Sequence, residues 1–264
     1  MVAAREENRL AYIDSLRAIA AILVLWVHVS QLFKGLSPGT AQSSWVNGLT
    51  VPINAGRIGV VTFFAISGFV IPFSIKLAHR FPVREFLLTR FFRLYPAYWL
   101  SIPFGAATLW LWNRPLSGSD FLVNLTMLAY IFHVPLAIGL YWTLAVEFVF
   151  YVCCVALVLT GSIANYRRIG ALVVALITLH VVVIVATWKN GSSPLFDLSM
   201  WPLNLAVMFW GTLYRARMRG LATSRFETLC VRGFAFFIIV LYPLCARYAA
   251  YKRAHKDKWW LSYL

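Results

Sequence analysis

The chain has 264 residues, 61% of them hydrophobic and only 12% charged, which excludes an ordinary soluble globule and places it among membrane proteins. Lys and Arg outnumber Asp and Glu by 24 to 9. The basic residues cluster between apolar runs, as in cytoplasmic membrane loops, so the excess charge is no argument for nucleic acid.

Apolar runs of roughly bilayer-crossing length lie at 12–33, 57–75, 94–112, 142–160, 169–188, 202–214 and 233–246, the last two being short. They predict an all-α fold, a polytopic transmembrane helical bundle of about seven spans, in one domain covering 1–264. The first run opens on Asp14-Ser15-Leu16-Arg17 and carries His28. At about 100° per residue, steps of three and eleven return Asp14, Arg17 and His28 to roughly one face. An ionisable group inside a membrane helix is costly unless it has a role, which makes His28 a functional candidate. Its bland alternative is an imidazole satisfied by a neighbouring Ser or a backbone carbonyl.

Ser67-Gly68-Phe69 interrupts the second run, and small residues there indicate close helix packing before they indicate a ligand. Arg90-Phe91-Phe92-Arg93 precedes the third run. Positions three apart share a helix face, so the two guanidiniums are expected to converge on one anion, and planar guanidinium suits phosphate. A bare RxxR is also an ordinary positive-inside stop at a helix start. The Leu94-Tyr95-Pro96 that follows reads instead as a fixed-geometry lead into the third helix. Pro135 and Gly139 interrupt 121–140, which reads as a short interfacial or re-entrant segment. Trp142 opens the fourth run, and Glu147 is the one acid in the middle of any apolar run. His180 reads as structural and His133 is ambiguous. Cys153, Cys154, Cys230 and Cys245 lack metal-site spacing and read as small apolar fillers, with no metal expected.

Charge asymmetry orients the bundle. Lys76, Arg80, Arg84, Arg90 and Arg93 follow the second run, Arg167 and Arg168 the fourth, and Arg215, Arg217, Arg219 and Arg225 the sixth. The alternate loops hold only Lys34 and Arg57, then Arg114, then Lys189. The N-terminus is therefore expected in the cytoplasm. Arg247, Lys252, Arg253, Lys256 and Lys258 would face outward if the seventh run crossed once, so either that run does not span or a helix is lacking. His28 lies about 21 Å along its helix from Asp14, and Glu147 about 7 Å in from the outer start of the fourth helix, so the two share a depth.

Four ordered blocks resemble acyltransferase family 3, integral-membrane enzymes that O-acylate surface polysaccharides and related acceptors. Asp14 through His28 resembles the opening LDGLRxxAxxxVxxxH pattern, and Gly59 through Phe69 resembles GVxxFFxxSGF. Phe86 through Tyr98 resembles the RxxRxxP block, and Trp142 through Tyr151 resembles WSLxxExxFY. Phe209 through Tyr214 is a fainter fifth match. The resemblance implies transfer of an acyl group, in the first instance acetyl, from acyl-CoA to a hydroxyl of a surface or exported glycan. It makes His28 the base, with Glu147 orienting it or the acceptor. Arg90 and Arg93, with Arg17, would hold the donor, and Trp142, Ser67 and Asp14 are candidate substrate-binding positions. The implied location is a bacterial inner membrane, and the implied partners are the lipid bilayer, acyl-CoA, a glycan acceptor and a second copy of the chain.

Departures from the pattern are Val61 for the usual Asp and Thr143 for the usual Ser. Family members run on through further helices, one opening like WLGxISYSxYLxH, and the chain stops at Trp259 to Leu264, where that segment would begin. Missing C-terminal helices are therefore expected, with an inactive or partner-completed member as an alternative. A non-catalytic glycan transporter or assembly partner would share the apolar helices and cytoplasmic arginines. It would have no need of the coincident His28, Glu147 and RxxR set.

Overall fold

A computed structural model describes residues 2–36, 55–189 and 195–236, with side chains over 12–30, 56–186 and 200–236. The described residues are helical, without a strand. The helices are α1 (Val2–Leu36), α2 (Ala55–Val70), α3 (Pro82–Leu111), α4 (Gly118–Asn124), α5 (Tyr141–Leu159), α6 (Tyr166–Lys189), α7 (Leu195–Met218) and α8 (Arg225–Phe236). A short 3₁₀ turn, Pro72–Ser74, follows α2. Segments within α1, α2 with its 3₁₀ turn, α5 and α6 (Tyr12–Ser30, Gly56–Ser74, Tyr141–Leu159 and Tyr166–Ala186) are long and apolar enough to cross a bilayer. The third and sixth apolar runs are helical within α3 and α7 but are not among these four. Most of the seventh run, the basic cluster from Arg247 to Lys258, Cys245, most of the loop at 34–56 and the final Trp259 to Leu264 lie outside the described residues.

Two elements differ from expectation. The third helix starts at Pro82, twelve residues before the apolar run at Leu94, so the RxxR pair sits inside the helix rather than at its start. Proline in the first turn costs nothing, because its missing N–H would be unbonded there anyway. Pro96 and Pro103 lie in the helix interior, so Pro96 does not lead into the helix. The segment 121–140 is helical only at its start, where Ser117 and Asp120 exchange side-chain-to-backbone hydrogen bonds in a capping box.

The chain divides into two compact units, residues 1–63 with 213–264, and residues 64–212. In the first, α1 and α2 run in backbone contact: a Cβ on Gly59 would lie 2.7 Å from the Ala20 carbonyl oxygen. In the second, α2 and α7 touch even more closely. A Cβ on Gly68 would overlap the Met208 backbone, and one on Gly211 the Ala65 carbonyl. Thr212 donates its hydroxyl to the Gly68 carbonyl at 2.9 Å across the same contact. This is the small-residue packing that holds membrane helices together where no hydrophobic force draws them out of lipid. On α5, Phe150 packs edge-on against Phe209 of α7, their centroids 4.9 Å apart, and both are fully buried.

The stretch after α4 is fixed to α3 by Asn124, which is 0% exposed. Its amide donates to the carbonyls of Asp120 (2.8 Å) and Pro135 (2.9 Å), and its oxygen accepts from Ala137 N–H (3.0 Å). Tyr98 donates to the Asn124 carbonyl, Trp99 to Leu125 (3.0 Å) and Tyr95 to Thr126 (3.3 Å). These bonds hold the buried Met127 at φ +62° and the exposed His133 at +54°. Left-handed backbone of this kind costs a non-glycine residue about 1–3 kcal/mol unless its surroundings over-determine it.

The α2–α7 contact generates a test. Gly68→Ala should destabilise the detergent-purified protein by about 1–3 kcal/mol, the usual cost of overpacking. Gly118→Ala, at a position with no neighbour within 4 Å, should leave thermal unfolding unchanged. Equal effects from both would contradict the contact.

Candidate functional site

The second unit buries a guanidinium. Arg90 on α3 is 7% exposed, and its Nη2 donates to Ser74 Oγ at 2.7 Å. Ser74 ends the 3₁₀ turn at an exposed position and donates in turn to the Ile71 carbonyl (2.7 Å). The Arg90 carbon Cζ lies 5.5 Å from the ring centre of Phe86, one helical turn earlier, and 5.7 Å from that of Tyr151 on α5. The two rings meet edge to face at 5.7 Å, so the cation rests in a corner of aromatic faces, within cation–π range of both.

Tyr151 also faces the other way along its helix. Its hydroxyl donates to Glu147 Oε1 at 2.6 Å, one turn back on α5, and Glu147 is itself 7% exposed. A bond this short to a carboxylate is charge-assisted. Arg90, Tyr151 and Glu147 thus form one buried cluster joining α3 to α5. Arg93, three residues on, is exposed. The two guanidiniums expected on one face therefore differ in burial. Three residues turn a helix by 300°, leaving side chains 60° apart, and here that turns one inward and the other out.

The other candidates divide between the units. Trp142 meets Phe64 of α2 edge-on at 6.1 Å, within the second unit. Ser67 is buried beside the glycine that packs on α7, the environment of a helix contact. In the first unit, Arg17 reaches Asp14 at 3.5 Å, a loose pair with an exposed carboxylate. His28 is exposed, and its Nδ1 lies 2.8 Å from the Val24 carbonyl of the preceding turn. A carbonyl can only accept, so Nδ1 carries the proton in this bond. In the neutral ring Nε2 then carries the lone pair, the tautomer a general base requires. His180 is buried on α6, and Cys153 and Cys154 are free thiols.

The second, third, fourth and fifth sequence blocks therefore meet around α5 and the α2–α7 contact, while the first belongs to the first unit. Sequence reasoning missed Ser74, Phe86 and Tyr151. Phe86 and Tyr151 stood one turn from Arg90 and Glu147, a spacing at which helical side chains touch, so both were legible in principle. Ser74 was not, because a turn and a helix start separate it from Arg90.

Apolar helices enclosing a carboxylate and a guanidinium define an integral-membrane protein with a buried polar site. A family model described as acyltransferase domain matches residues 10–263, and the chain belongs to acyltransferase family 3. It is 25% identical over 222 residues to a Komagataeibacter xylinus protein provisionally named membrane-bound transacylase BcsY, covering 77% of this chain and 52% of that one. The chain thus spans about half the length of the curated relative it matches. No solved structure matches it.

Replacing a whole buried ion pair by apolar groups of similar volume is often neutral for folding, whereas removing one partner alone costs about 3–5 kcal/mol because the other charge stays buried. Arg90→Met, which leaves Glu147 buried, should lower stability in detergent by about 3–5 kcal/mol, and adding Glu147→Gln should recover most of that loss; a single variant as stable as wild type would contradict the cluster.

Proposed function

We propose that this membrane acyltransferase moves an acyl group, acetyl in the first instance, from acyl-CoA to a hydroxyl of a surface or exported glycan. The observation that carries the reading is the burial of Arg90 against Tyr151 and Glu147 in a chain of this family. A buried guanidinium presents forked donors in a medium where charge-assisted bonds to phosphate are strong. Arg90 and the exposed Arg93 hold the phosphates of the donor, with Arg17 assisting. The basic clusters beside α2, α3 and α7 support a cytoplasmic N-terminus and donor access from that side of a bacterial inner membrane.

His28 acts as base through Nε2. It takes the proton of the glycan hydroxyl as that oxygen bonds to the acyl carbon, the carbon–sulfur bond breaks, and the imidazolium returns the proton to the departing thiolate. The Val24 carbonyl fixes the ring through Nδ1, which supports this tautomer. Glu147, held by Tyr151, orients the acceptor hydroxyl, with Trp142 and Ser67 as further substrate contacts.

Thermal unfolding tests the reading. Acetyl-CoA at about a hundred times its Kd should add about 2.7 kcal/mol of stability to the purified protein. The gain should vanish in Arg90→Met and shrink in Arg93→Ala. In His28→Ala it should persist while transfer of labelled acetyl to glycan is lost. Stabilisation by glycan alone, with no response to any acyl-CoA, would overturn the reading in favour of a transporter or assembly partner. Full transfer by His28→Ala would remove its role as base.

A further inference from the structure

Tyr151 makes two contacts that a simpler residue could not make together. Phe150, the preceding residue, shows what apolar packing alone requires on α5: a fully buried ring against Phe209. One position on, the chain places a hydroxyl in the interior. A buried hydroxyl needs a partner, and this one takes the carboxylate of Glu147 at 2.6 Å. The ring that carries it faces the Arg90 guanidinium at 5.7 Å and the Phe86 ring at 5.7 Å. Ser74, at the exposed edge of the cluster, fixes the far end of the same guanidinium at 2.7 Å.

We propose that Tyr151 and Ser74 are positioning residues of the transfer site. The Tyr151 ring and Ser74 together set the direction in which Arg90 meets the donor, and the Tyr151 hydroxyl sets the rotamer of the Glu147 carboxylate. The inference rests on the acyl-CoA reading above. A Glu side chain on a helix otherwise samples several rotamers, and a group that orients a reacting partner loses rate steeply when its geometry drifts by an ångström. The ring acts on ground-state binding of the donor, and the hydroxyl acts on the reaction step. One side chain thereby couples donor binding on α3 to the acid on α5.

The two roles separate in kinetics. The full chain is assayed in membrane vesicles with labelled acetyl-CoA, read as label transferred to glycan and corrected for folded protein. Tyr151→Phe keeps the ring and drops the hydroxyl; its kcat should fall about tenfold while KM for acetyl-CoA stays within about twofold, the signature of an interaction made in the transition state. Tyr151→Leu removes both and should raise KM about tenfold as well. Ser74→Ala should raise KM about threefold, a loss of ground-state binding. Wild-type kcat in Tyr151→Phe would overturn the proposal, as would variants that lose only folded protein with unchanged kinetics per folded molecule. A wild-type chain that neither binds acetyl-CoA nor transfers label would bring down the acyl-CoA reading and this one with it.

Discussion

Taking the Arg90 guanidinium out of water is the most demanding requirement in the second unit, because a buried ion loses solvation worth several kcal/mol that its surroundings must replace. The replacement comes from both ends of the side chain. Phe86 and Tyr151 supply aromatic faces to the planar cation, and Ser74 accepts one of its hydrogen bonds at the edge of the unit. This arrangement demands that α3 present Phe86 and Arg90 on one face, one turn apart, and that α5 bring Tyr151 to that face. The same α5 must carry Phe150 into the contact with α7, and α7 must approach α2 at Gly68 closely enough to leave no room for a Cβ. The site and the packing of the unit are therefore one set of requirements.

The first unit handles its ionisable groups differently. Asp14 and Arg17 form a loose pair with an exposed carboxylate, the kind that contributes little to stability. That leaves their side chains available for another partner at little structural cost. His28 is tied by one nitrogen to its own helix, at the turn beside the α1–α2 backbone contact. A ring held at Nδ1 keeps its orientation and leaves Nε2 for another partner. The bland explanation of this histidine, a carbonyl partner, is thus present, and that same bond selects the tautomer suited to proton abstraction.

Hydropathy made the membrane class and most helices legible, since runs such as 142–160 and 169–188 carry almost no polar residue. The start of α3 was not, because the residues between Pro82 and Arg93 alternate charge with apolar bulk, and Pro96 resembled a boundary. A helix tolerates such a proline where neighbours satisfy the freed carbonyl. The strap after α4 was equally hidden: the bonds of Asn124 reach Pro135 and Ala137, 11 and 13 residues on, and no local pattern encodes them. At the candidate site, Arg90 and Glu147 stood out in the sequence as part of a paired guanidinium motif and as a solitary mid-run acid. The sequence did not show that the two arginines differ in burial, which a 60° difference around the axis produces. Tyr151 was in plain view as the end of a motif, but only its contacts reveal that it joins the two charged groups.

The central claim, that the buried guanidinium is the donor's anchor, is tested most directly by an experimental structure of the full chain in membrane nanodiscs with coenzyme A bound. The account predicts phosphate oxygens within salt-bridge distance of Arg90, the guanidinium still seated against the Phe86 and Tyr151 rings, and the Tyr151–Glu147 hydrogen bond intact. Coenzyme A seated elsewhere, with Arg90 bonded only to Ser74 and the rings, would contradict it.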